Sequence, residues 1–368
     1  FFLLFFVSAL FGKVMESTGA AAAIARGLAN LLGEKFAILG VLFAGMVLTY
    51  GGISALVIAF TMYPLTLAVF KRANMPRRLI PGAIAAGCFT FAAAALPGTP
   101  QTLNVTPIPY LGTTVTAGAA IGIICGIIGI VMICVYMYWE AARARAAGDG
   151  FVADTATLET MARADEMGAN INPFVALIPI LVIIVLLVGL QINVLISMLA
   201  GSLVCVLLFF KNVKNVSGLL GDSIQSATNA AITTGCIVGY GSVVSASTGY
   251  ATLSAALLSL DAPPLISYGL TTTILAGAAG SGTGGLAIAL ENLAPQYLAM
   301  GIPAELLHRI GCLSAIGLDS LPHCGAVVVL LTLAGMTHKD SYKQIFVTTV
   351  VITLIVAAIG IALATIMY

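Results

Sequence analysis

The stretch GSGTGGLAIALEN, residues 280–292, poses the first chemical question in this chain. Gly280, Gly282 and Gly285 spell G-x-G-x-x-G, the spacing that brings bare backbone up to a pyrophosphate. That chemistry needs a strand before the loop and a βαβ unit around it. Here the glycines lie between the apolar runs TTTILAGAAG and LAIAL, so a nucleotide site is rejected. No G-x-x-x-x-G-K-[ST] occurs either, which argues against ATP-driven work. The other reading is a hairpin tip halfway through a membrane, where bare backbone is tolerated only inside protein or beside a water-filled cavity. Glycine permits the tight turn and close approach of a ligand. The arm restarting at Leu286 presents unpaired N–H groups and a positive dipole end, which suit a carboxylate. Ser281 and Thr283 add hydroxyls beside Gly284 and Gly285, and Gly51, Gly52 and Ser54 form a second such tip in TYGGIS.

Two proline breaks supply further polar groups. In ALPGTPQTLN (95–104), Pro97 and Pro100 remove backbone donors, and Thr99, Gln101 and Asn104 fall at membrane depth. In LDSLPHCG (318–325), Asp319 and His323 flank Pro322. An ionisable residue inside a membrane marks a functional site by default. An Asp–His set can take up a carboxylate when protonated and release it when not, since histidine titrates near neutral pH. Glu291, in the second arm of the later hairpin, is a third candidate proton carrier. Its first-copy counterpart falls near Ile58, so the fold does not require an acid there. Lys13 and Glu16, three apart, are expected to pair with each other. His308, Arg309 and His338 are expected at interfacial span ends. The seven cysteines are scattered and form no C-x-x-C pair, so they read as small apolar helix residues. No cofactor is expected, and no metal cluster or nucleophile set supports a membrane-embedded enzyme as more than an alternative.

The elements that must position these groups follow from composition. Charged residues are 8% of the chain and hydrophobic residues 60%, against roughly 25% charged in soluble domains. Apolar runs of about 18 residues or more recur, long enough to cross a bilayer core. They are too uniformly apolar for a transmembrane barrel. The chain reads as an all-α integral membrane protein embedded in lipid, and its net charge of +1 gives no sign of nucleic-acid binding. It starts inside an apolar run without an initiator Met, and is expected to lack two upstream segments of roughly 60–70 residues.

The charges punctuate the chain. A first repeat is expected over 1–138: one long helix (1–32), an inner hairpin (36–70), a broken helix (79–110) and a span (113–138). A polar cytoplasmic connector covers 139–171. A second repeat, 172–368, holds two scaffold spans (172–190, 194–210), a long helix (222–260), an outer hairpin (264–300), a broken helix (305–336) and a final span (344–367). FGKVMESTGAAAAIARGLANL (11–31) lines up with YGSVVSASTGYATLSAALLSL (240–260), Gly51-Gly52 with Gly284-Gly285, Pro76 with Pro303 and Pro97 with Pro322. The hairpin arms, roughly 15 residues or about 22 Å, suit half-depth re-entry. With KRANMPRR (71–78) cytoplasmic, the other Lys and Arg clusters fall on the same side and only Arg309 lies outside. This is the plan of an inverted-repeat secondary transporter.

FGKVMESTGAA, ALPGTPQTLN, GSGTGGLAIALE, DSLPHCGAV and THKDSY together resemble the gluconate permease family of the ion transporter superfamily, and most closely its 3-hydroxybutyrate permease branch. Cys324 and Thr283 depart from that branch, where Asn and Ala or Ser are expected. The resemblance implies a proton-coupled symporter of a small hydroxy-monocarboxylate in the bacterial inner membrane, a homodimer whose transport domain moves against a scaffold. The expected substrate site is Gly51, Gly52, Ser54, Thr99, Gln101, Ser281, Thr283, Gly284, Gly285 and His323, with Asp319, His323 and Glu291 carrying the proton. Sodium is the alternative coupling ion, held by glycine, serine and threonine oxygens.

Overall fold

Glycine and proline decide where helices stop in this chain, and the stops organise everything else. The computed structural model describes residues 2–153, 157, 158, 161, 170–213, 215–245, 248 and 263–367. Every regular element among them is helical. Helices α1 (Phe2–Ser17) and α2 (Ala20–Leu32) are followed by α3 (Ala37–Tyr50), α4 (Ala55–Arg72) and α5 (Ile80–Cys88). Three short turns, Phe91–Ala94, Thr102–Val105 and Ile108–Leu111, lead to α6 (Ala119–Ala146). Then come α7 (Ile178–Ile184, continued by a π-turn to Gly189), α8 (Val194–Leu208) and α9 (Val216–Ser245). The last group is α10 (Pro264–Ala279), α11 (Gly282–Ala299), α12 (Ala304–Ala315), α13 (Gly325–Leu333) and α14 (His338–Phe346), which a π-turn joins to α15 (Ile352–Met367).

The expected single helix over 1–32 is two helices bent by 66°. Gly19 sits at φ 82°, a left-handed conformation open to glycine, and the Thr18 hydroxyl donates to Val14 O at 2.7 Å. Such back-bonding bends helices. The final span also begins earlier than expected. Thr337 and Asp340 form a reciprocal capping box that starts a helix at His338, within the polar run THKDSYK. The span expected over 113–138 is displaced too, running as one helix from Ala119 to Ala146. The long helix expected over 222–260 starts at Val216; beyond Ser245 only Thr248 of it is described, so most of the 240–260 echo lies outside the described residues, as do 154–156, 159–160 and 162–169 of the 139–171 connector.

Two helical hairpins and two broken segments are present as elements, and four of their boundaries recur with one spacing. Ala37 and Pro264, Ala55 and Gly282, Arg72 and Ala299, and Cys88 and Ala315 are each 227 residues apart. At that spacing Ser54 falls on Ser281, so the tip of α3–α4 matches Gly280–Ser281 rather than Gly284-Gly285. The glycines aligned from sequence belong inside the first turn of α11. Glu291 likewise falls opposite Pro64 rather than Ile58. The second arms, α4 and α11, have 18 residues each, about 27 Å at helical rise, longer than the sequence suggested.

The core lies where the two copies meet. All of α5 is buried, as a helix apolar all round should be, and α12 is buried from Leu306 to Ala315 although it carries His308 and Arg309. At the other extreme α6 turns Ile123, Ile127, Val131 and Val135 outward, an apolar stripe at helical spacing that suits lipid. Ala55–Arg72, Ala119–Ala146 and the run His338–Met367 are long and apolar enough to cross a bilayer, and the bent α1–α2 pair makes a fourth if counted as one span. Lys13 and Glu16 pair at 3.0 Å, as their spacing requires.

Gly285 fixes the later hairpin. A Cβ there would lie 2.2 Å from Ala276 Cα and 2.3 Å from Ala276 N, so backbone meets backbone. Gly285→Ala must splay α10 from α11 and should lower the melting temperature of the purified protein, by a few degrees or more, as overpacking by about 1–3 kcal/mol does. Gly221→Ala, in open space within α9, should leave the temperature unchanged or raise it. Equal tolerance of the two substitutions would contradict the packed hairpin.

Candidate functional site

Each hairpin tip is tied to the break of its own copy. At the first tip α3 ends on Tyr50, Gly51 continues one residue further, and Gly52 reverses the chain at φ 93°. Ser54 then caps α4, its hydroxyl accepting from Val57 N at 3.5 Å. The last carbonyls of a helix lack internal donors, and the first break supplies them. Gln101 Nε2 donates to Thr49 O at 2.7 Å and Ile53 O at 2.9 Å, and Thr99 Oγ1 donates to Tyr50 O at 3.1 Å. The Tyr50 hydroxyl returns a bond to Pro97 O at 2.8 Å. Thr99 and Gln101 therefore spend their donors on clamping the tip. Around this clamp, a Cβ on Gly51 would strike Ile180, one on Gly52 would strike Pro100 and reach Met198, and one on Gly98 would strike Val188. The first tip is closed beneath α7 and α8.

The second tip pairs with the second break in the same way but with ionisable groups. Gly280, at φ 59°, ends α10, and Ser281 caps α11 by accepting from Gly284 N at 3.2 Å. Ser54 and Ser281 are thus matched caps, each with its hydroxyl turned to backbone. His323 Nε2 lies 2.9 Å from Gly277 O; a carbonyl can only accept, so Nε2 carries the hydrogen and Nδ1 is left as the acceptor. Asp319 Oδ2 lies 2.7 Å from where a Cβ on Gly282 would stand. That carboxylate rests at the first residue of α11, where a helix offers N–H groups and positive dipole. Ser320 Oγ donates to Asp319 Oδ1 at 2.8 Å. Asp319 and His323 therefore flank one tip with separate partners. Asp319 is half-buried, His323 exposed and Thr283 half-buried. Glu291 lies on an exposed face of α11, nine residues beyond Gly282, or about 13 Å along the axis.

His308 and Arg309, read from sequence as interfacial, are both fully buried. Arg309 reaches from α12 into the first break: Nη1 donates to Ala94 O at 2.8 Å, Nε to Ala117 O at 3.0 Å and Nη2 to Ala117 O at 2.7 Å. His308 Nε2 donates to Asn104 Oδ1 at 3.3 Å and Nδ1 accepts from the Thr113 hydroxyl at 2.7 Å. Asn104 Nδ2 in turn donates to Thr99 O and Val115 O, both at 2.9 Å. A break frees carbonyls that lipid cannot satisfy; Arg309 from the second copy satisfies some directly, and His308 holds Asn104, which satisfies two more. The signal was in the sequence: Arg309 is followed by IGCLSAIG, with no polar face on which a helix end could sit in water. His338 is exposed, and its Nε2 donates to Pro322 O at 2.9 Å.

Replacing Arg309 with Met should cost about 1–3 kcal/mol for each carbonyl left bare. Detergent-solubilised protein should melt well below wild type, with Arg309→Lys intermediate because one ammonium cannot span both Ala94 O and Ala117 O. An unshifted Arg309→Met melt would remove the pin from this account.

No protein-family profile matches the chain. The crystal structure of the Alcanivorax borkumensis YdaH transporter, described as revealing an unusual topology, is similar with a TM-score of 0.61 at 16% identity, covering 99% of this chain and 84% of that one. The fold is therefore that of an all-α membrane transporter. An uncharacterized transporter of Bacillus subtilis strain 168, YxjC, is 33% identical over 403 residues, covering 98% of this chain and 85% of that protein. With its apolar spans and near full-length likeness, the chain belongs to the same family of multi-pass membrane transporters as that Bacillus subtilis protein.

Proposed function

We propose that the protein is a proton-coupled symporter of a small hydroxy-monocarboxylate, of the gluconate or 3-hydroxybutyrate type that its motifs resemble. One observation carries the reading: Asp319 already occupies the start of α11, with His323 beside it on the same tip. A substrate carboxylate drawn to those N–H groups meets a carboxylate in place, and two anions at one helix start repel. A proton on Asp319 removes the repulsion. Binding of anion and proton then go together, and His323, with Nδ1 open, receives or passes the proton. Glu291, exposed and distant along α11, is assigned no part in the coupling.

The first tip serves as the gate that is shut in this conformation, held by Gln101 and Thr99 and covered by Ile180, Val188 and Met198. Sodium coupling has one observation in its favour: Thr49 Oγ1 is buried without a partner beside the carbonyls that Gln101 clamps. Hydroxyl and carbonyl oxygens are what a hard cation takes.

The deciding experiment is uptake and counterflow in proteoliposomes with labelled gluconate, 3-hydroxybutyrate, lactate and glycerate, with and without sodium. A pH gradient alone should drive accumulation of at least one of them. Asp319→Asn keeps the shape but no longer titrates, so it should retain counterflow and lose accumulation. His323→Ala should slow both, and Glu291→Gln should change neither. Normal accumulation by both Asp319→Asn and His323→Ala would defeat the assignment, and uptake that required sodium would transfer coupling to the first tip.

A further inference from the structure

A cavity of about 260 Å³ opens far along the chain from the two tips, between α2 and α4 with Val41 of α3 at its back. Its wall is apolar: Ala25, Ala29, Met62, Leu65 and Val69. Two guanidinium groups, Arg26 and Arg72, line it, and the last turn of α4 runs on into the basic stretch KRANMPRR. Among the described residues Arg72 is fixed by one bond, to Asn30 Oδ1 at 3.1 Å. Thr66 also lines the cavity. It is 2% exposed, and its hydroxyl has no hydrogen-bond partner, a cost of about 1–3 kcal/mol that a ligand acceptor would relieve. Next in sequence to Asn30 of the lining, Leu31 stands 78% exposed, which suits lipid rather than water.

We infer that this cavity seats one anionic phospholipid, its phosphate on Arg72 and Arg26, an ester oxygen on the Thr66 hydroxyl and an acyl chain along the apolar wall. Basic pockets between helices on the cytoplasmic side take anionic head groups, and the 71–78 cluster marks that side. Neither a small hydrophilic anion nor a neutral lipid matches the whole lining: the first wastes the apolar wall, the second the guanidinium of Arg72. The lipid bridges the bent α2 to the second arm of the first hairpin, so its presence stiffens the gate that α3 and α4 form.

Native mass spectrometry and thermal unfolding of the purified protein, with phosphatidylglycerol, phosphatidylethanolamine, glycerol phosphate and a free fatty acid as separate probes, test this. Phosphatidylglycerol should bind and stabilise selectively. Arg72→Ala should weaken that binding about fivefold, the contribution of one basic side chain near an anionic surface. Thr66→Val should weaken it while leaving the lipid-free melting temperature equal or higher, because it removes an unpaired hydroxyl. Val69→Trp, filling the cavity from its half-buried edge, should abolish selectivity without unfolding the protein. Equal binding of phosphatidylethanolamine, equal binding of glycerol phosphate or fatty acid, or selectivity that survives Val69→Trp would each overturn the assignment.

Discussion

Everything in this structure answers to one constraint: peptide groups freed by a broken helix have no water to turn to inside a bilayer. The chain breaks helices at two tips and two proline segments, and each break is repaired by side chains from elsewhere. Gln101 and Thr99 repair the end of α3. Arg309 and Asn104 repair the carbonyls around the first break. His323 gives its hydrogen to the end of α10. The polar residues that sequence marks as ligands are thus first of all the replacements for missing helix hydrogen bonds.

That double duty shapes the chemistry. A group clamping a tip in one conformation is released when the tip moves, and a moving tip must find other partners for its carbonyls. The two copies differ in what they use. The first tip is clamped by neutral amide and hydroxyl groups and covered by α7 and α8, whereas the second is flanked by a carboxylate and an imidazole. The same helical plan therefore supplies one tip held by neutral groups and one flanked by ionisable groups. Arg309 joins them, because it is carried by α12 of the second copy and grips the break of the first.

Much of this was legible in the residues, for physical reasons that can be named. Tips and breaks announce themselves because only glycine and proline stop an apolar helix without a polar loop. Lys13 and Glu16 were legible because three residues on a helix bring them together. Gly19 was not: in a stretch as rich in glycine and alanine as ESTGAAAAIARG, nothing separates a bend from a close-packing residue. The repeat was legible but its register drifted, because identities between degenerate small residues were matched. Four of the six boundaries of α3, α4 and α5 against α10, α11 and α12 hold a spacing of 227, and the other two lie within three residues of it. His308 and Arg309 misled because charge is ordinarily solvated; the apolar IGCLSAIG that follows argued for burying them, but not which freed carbonyls they would serve.

The matched caps sharpen what the second tip can do. Ser54 and Ser281 both turn their hydroxyls to the first turn of the following helix, so neither helix start presents its serine to a ligand. What differs is the residue set against each tip: Asp319 at Gly282, the first residue of α11, and Pro100 at Gly52, three residues before α4 begins. Proline at the first tip is inert filler, whereas aspartate at the second places a negative charge where the helix dipole is most favourable to one. A site built that way is not an open anion hole. It is a slot already holding an anion, and a second anion enters it only as the first is neutralised or displaced. In the proposed symport, coupling between proton and substrate needs no long relay, because both would act on the same few N–H groups at the start of one helix.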